Sequence, residues 1–118
     1  MSSIAIWLAR LVGALHVLIG GSEISRARTM VTDFGFEDEI DKASLVLMNA
    51  GLYNLFLALL IFWALRQAER NRTLLIICLG FAAIAGIFGT ATLSSLRPVV
   101  LQTVPAAIAL VAIMRRST

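Results

Sequence analysis

Four long apolar stretches, spanning about residues 4–24, 43–65, 73–93 and 98–114, are separated by short segments that hold most of the charge. A helix rising 1.5 Å per residue needs about 20 apolar residues to cross roughly 30 Å of hydrocarbon. The first three stretches reach that length. The fourth is shorter, but Ser94 to Arg97 can lie at the interface while the Arg97 side chain reaches toward water. Inside a bilayer the backbone must satisfy its own hydrogen bonds, which a helix does within one segment. The pattern predicts an all-α, integral membrane four-helix bundle, with residues 1–118 forming one transmembrane domain.

Composition supports lipid as the solvent. Hydrophobic residues make up 59% of the chain and charged residues 14%, against about 25% charged in soluble domains. A water-soluble fold of this length has too little interior to hide that much apolar surface. The net charge is +3, yet the ten basic residues sit at helix ends and make no basic face, so no nucleic-acid partner is expected. The apolar run from Ile4 is too long for a signal peptide and is interrupted by Arg10, which marks it as a retained helix.

Lys and Arg counts set the expected orientation. Arg10, Arg66, Arg70, Arg72, Arg115 and Arg116 belong to the side of the termini, and Arg26, Arg28, Lys42 and Arg97 to the other. Six against four favours both termini in the cytoplasm. The polar segment 25–42 is the only one with room for a short surface helix, and its Phe34 and Phe36 are expected to dip into the interface. Pro98 suits a first helical turn, whereas Pro105 lies inside the fourth stretch, frees the carbonyl of Leu101 and predicts a kink.

Polar groups at membrane depth need partners or purposes. Gly13, His16, Gly20 and Glu23 fall on one stripe of the first helix. Glycines admit close helix approach, so the stripe should face the interior. His16 and Glu23 are about 10 Å apart along the axis, too far for a direct bond. Glu23 also lies near the helix end, within reach of Arg26. On the second helix Asn49 and Tyr53 share a face, and Asn54 points with Gly51 and Ala58 to an adjacent one. The third helix carries a small-residue seam of Ala82, Gly86 and Thr90 beside Gly89, and the fourth carries Gln102.

Several chemistries are absent. One histidine and scattered carboxylates fall short of the three or four ligands of a zinc site, so no metal is expected. The lone Cys78 forms no internal disulfide, and no phosphate loop, nucleophilic triad or redox pair of cysteines is present. No catalytic residue and no cofactor is therefore assigned.

The run Asn49-Ala50-Gly51-Leu52-Tyr53-Asn54, followed by Leu55-Phe56-Leu57-Ala58, resembles the Asn-Gln-Gly-Leu-Tyr-Asn signature of the domain of unknown function 1304 family, small four-span bacterial membrane proteins. Residues 85–92 (AGIFGTAT) and 102–106 (QTVPA) are similar to further motifs of that family, as are His16 and Glu23 on the first helix. The chain departs from the signature at Ala50, where the family has Gln. The resemblance implies a four-helix fold in the bacterial inner membrane and brings no substrate with it.

The leading expectation is binding or transport of a lipophilic or cationic small molecule at a site drawn from His16, Glu23, Asn49, Tyr53, Asn54 and Gln102, with Gly13, Gly20, Gly51, Gly86 and Gly89 packing the helices. Alternatives are an accessory subunit, as a homo-oligomer or within a larger membrane complex, and a membrane lipid isomerase using His16 and Glu23. A bound small molecule that depends on His16 distinguishes the first from the second.

Overall fold

The computed structural model describes residues 1–36, 38–67 and 71–115, so Glu37, Glu69, Arg70 and Arg116 of the charge pattern lie outside the described residues. Helix starts follow local chemistry. The Ser2 hydroxyl accepts the Ala5 N–H at 3.1 Å and opens α1 (Ser3–Ser25), and the Asn71 side chain accepts the Leu74 N–H at 3.0 Å and opens α4 (Arg72–Leu93). Between them lie α2 (Ala27–Asp33) and α3 (Ile40–Arg66). A π-helical turn (Val99–Thr103) leads directly into α5 (Val104–Met114). Every regular element among the described residues is helical.

Helices α1, α3 and α4 are long and apolar enough to cross a membrane, and the apolar segment Val99–Met114 is shorter. α3 starts three residues before its apolar stretch because Asp41 suits a first helical turn and pairs with Arg28. The polar segment does hold a short helix: α2 packs Ala27 and Val31 against α3, leaving Phe34 half-buried and Phe36 exposed. Arg10 reaches back one turn toward the N-terminus and stacks over Trp7, 4.9 Å from the ring centre.

α1 lies between α3 and α5, while α4 packs on the π turn, α5 and α3. Alanines dominate the interior. Ala5, Ala9, Ala64, Ala82, Ala106 and Ala109 are fully buried around Ile61, Leu75 and Leu79, whereas Trp7, Leu18, Leu59, Phe81, Ile84 and Phe88 point outward and are each at least 64% exposed. Small residues inside and large apolar ones outside reverse the soluble pattern. They suit hydrocarbon, where helices associate by close backbone packing because burial of apolar surface offers no driving force.

Two close approaches set the helix positions. α1 and α3 cross backbone to backbone at Gly20 and Gly51: a Cβ on Gly20 would lie 2.6 Å from the Gly51 carbonyl oxygen, and a Cβ on Gly51 would lie 2.7 Å from that of Gly20. Gly13 sits under the Phe62 ring in the same interface. α4 receives the π turn at Gly86, where a Cβ would collide with the Thr103 hydroxyl and with the Pro98 carbonyl oxygen, and Gly89 lies against the Pro98 ring. Thr103 Oγ1 donates to the Ala83 carbonyl at 2.7 Å, and the Val99 N–H donates to Thr90 Oγ1 at 3.0 Å.

The kink expected at Pro105 takes the form of this π turn. Proline has no N–H, and its ring clashes with the carbonyl four residues earlier in an α-helix. Widening the turn, with the Val104 N–H bonded to the Val99 carbonyl, relieves the conflict before Pro105 enters α5.

Gly20→Ala should destabilise the protein by about 1–3 kcal/mol, since the new methyl meets backbone. Gly21→Ala meets open space and should be neutral or stabilising by up to about 1 kcal/mol. Denaturant unfolding in mild detergent, followed by circular dichroism, compares the two.

Candidate functional site

The first-helix stripe turns inward, and Gly13, His16, Gly20 and Glu23 are all buried. His16 is fully buried. Its Nδ1 donates to the Val12 carbonyl at 2.9 Å. A carbonyl oxygen only accepts, so the ring proton sits on Nδ1 and the neutral ring presents the Nε2 lone pair on its other side. Nε2 is buried and has no hydrogen-bond partner among the described residues.

Gln102 stands on the other side of this nitrogen. Buried positions on α1 (Ala5, Ala9, Val12) and on α5 (Ala106, Ala109, Ile113) recur at matching intervals in opposite directions. One further turn on each brings His16 and Gln102 to the same level. The half-buried Gln102 side chain faces the imidazole without closing a hydrogen bond of good geometry to Nε2. Gln102 belongs to the π turn, in which Pro105 leaves one carbonyl without its helical donor. A π-helical turn at such a place is a frequent feature of functional sites.

Glu23 finds its partner on α3. The Asn54 side-chain amide donates to Glu23 Oε1, which meets the cost of a buried carboxyl group without recourse to Arg26, an exposed residue. The glycine crossing makes this contact, because Gly51 lies one turn before Asn54 and a Cβ there would sit 3.0 Å from the Glu23 Cβ.

Asn49 and Tyr53 do not join the group. Both are exposed, Tyr53 by 71%. Once Gly51 and Ala58 face α1, the helical repeat carries positions 49 and 53 to the outer face. Of the expected site residues, those that face the interior are therefore His16 and Gln102 at one level and Glu23 with Asn54 two turns away. All four present acceptors, and the amides of Gln102 and Asn54 add donors.

One buried polar residue escaped the sequence reading. Ser44 is 5% exposed, and its hydroxyl has no partner among the described residues. The signal was present, since Ser44, Gly51, Ala58 and Leu65 recur every seven residues and all are buried. Thr90 and Thr103 hold the π turn to α4, and Thr92 bonds to the backbone of its own helix, at Phe88 and Gly89.

Asn54→Leu should leave the Glu23 carboxyl buried without its donor and cost about 1–3 kcal/mol. The double variant Glu23→Leu/Asn54→Leu should recover much of the loss, because both polar groups are then gone. Unfolding midpoints of the two single variants and the double variant measure this coupling.

Comparison with curated proteins and with solved structures finds no significant match. A family match covers residues 10–114, which includes the glycine crossing, the polar residues of α1 and the π turn. On that match the chain belongs to the family described as protein of unknown function (DUF1304).

Proposed function

We propose that this protein is a small four-span protein of the bacterial inner membrane, with both termini cytoplasmic, that binds a lipophilic molecule carrying a hydrogen-bond donor or a positive charge. The observation that carries this reading is the buried Nε2 of His16, which is oriented by the Nδ1 bond to Val12 and has no hydrogen bond of good geometry among the described residues, although the Gln102 side chain stands beside it. A lone pair held at membrane depth is costly to leave unmet and is met by a donor entering between α1 and the π turn. Gln102 lies beside that position and can orient the entering group. Glu23 and Asn54 form a second polar level toward the α1–α2 junction, and the carboxyl group there favours a cation over an anion.

A second reading draws on the outer face of α3. Asn49, Tyr53, Phe56, Leu60 and Trp63 follow one another at alternating steps of four and three residues, and all are exposed. An Asn amide facing hydrocarbon favours a neighbouring protein helix with which to bond. That supports assembly with a second copy or a larger membrane complex, and it is compatible with the binding reading.

Native mass spectrometry of protein purified in a lipid-preserving detergent tests the first reading. A small molecule should remain on the wild type and fall at least about tenfold in His16→Leu and Gln102→Leu, as loss of a buried hydrogen bond implies. Tyr53→Phe should retain it. Equal retention in folded His16→Leu protein would remove the basis for the proposal. For the second reading, Tyr53→Cys in a Cys78→Ala background should cross-link in membranes through the outer face of α3.

A further inference from the structure

The unpartnered Ser44 hydroxyl belongs to a different place from His16. Where α1 gives way to α2, a groove of about 440 Å³ opens between that junction and the first turns of α3. Arg26, Arg28, Asp41 and Ser44 line it together with Leu45 and Met48. Asp41 is engaged by Arg28, and among the described lining residues Arg26 adds a net positive charge. Ser44 is a lining residue that is 5% exposed, and its buried Oγ has no partner among the described residues. A serine hydroxyl and an arginine that line one groove offer donors to an anionic oxygen.

Membrane depth identifies the source of that oxygen. α3 has 27 residues, about 40 Å of helix against roughly 30 Å of hydrocarbon. With Arg66 at one boundary, Asp41 and Ser44 fall at headgroup level on the other. Leu45 and Met48, both exposed, lie where acyl chains begin. The groove thus combines a cationic, hydroxyl-bearing upper part with an apolar lower part, in the order of a phospholipid.

We propose that this groove binds the phosphodiester headgroup of a bilayer phospholipid. The Arg26 guanidinium supplies the charge, the Ser44 hydroxyl donates to a phosphate oxygen, and an acyl chain lies along Leu45 and Met48. Either leaflet supplies such a lipid, so the site does not depend on the orientation of the protein.

Native mass spectrometry with added phosphatidylglycerol, diacylglycerol or inorganic phosphate tests the assignment. The wild type should retain phosphatidylglycerol and neither of the other two. Retention should fall about tenfold in Arg26→Gln, which loses a charge-assisted bond, and about fivefold in Ser44→Ala, which loses a neutral donor. Ser44→Ala protein that is more stable and holds the lipid unchanged would overturn the proposal, because the hydroxyl would then be a plain packing defect. Diacylglycerol held as firmly as phosphatidylglycerol would overturn it, and so would inorganic phosphate bound alone, the mark of a free-anion site.

Discussion

The contact of Gly20 with Gly51 determines where the other polar residues of the bundle lie. Each glycine has the carbonyl oxygen of the other less than 3 Å from where its Cβ would stand, so neither position tolerates a side chain without moving a helix. Such proximity fixes the rotation of both helices. On α1 it turns His16 and Glu23 inward, and on α3 it brings Asn54 onto Glu23 while sending Asn49 and Tyr53 outward. A different rotation of α3 would give Glu23 a different partner or none.

The second fixed point is Gly86, which receives the π turn. Thr90 and Thr103 bond across this seam, so the wide turn is held by α4 as well as required by Pro105. Gln102 consequently faces His16 from a backbone that differs from a regular helix. The two seams leave alanines between them, and the large apolar side chains point to lipid. A closely packed frame of this kind holds His16 Nε2 in a fixed position, as the proposed binding of a ligand would require.

Much of the fold was legible. The apolar stretches located α1, α3 and α4 to within a few residues, because chain length in hydrocarbon is dictated by bilayer thickness. The stripe of Gly13, His16, Gly20 and Glu23 was visible as spacing alone. Three details were not. A kink at Pro105 was expected, but whether it opens as a π turn depends on Gly86 and Thr103, which lie on different segments. Asn49 and Asn54 fall on adjacent faces of the second helix in the sequence, Asn54 with Gly51 and Ala58, and the crossing at Gly51 decides which of those faces meets Glu23. Ser44 shares a seven-residue spacing with Gly51, Ala58 and Leu65, but a serine at the edge of an apolar stretch resembles an interfacial residue until α2 folds over it.

On the proposed reading His16 holds its proton on Nδ1 and offers Nε2 to a ligand. The chain has a single histidine, so nitrogen-15 NMR of histidine-labelled protein in lipid bilayers reports this ring without ambiguity. The ring should be neutral and protonated at Nδ1, with an Nε2 resonance that shifts toward a hydrogen-bonded value when ligand is present. A ring protonated at Nε2, or an Nε2 resonance unaltered between ligand-bound and ligand-stripped protein, would contradict it.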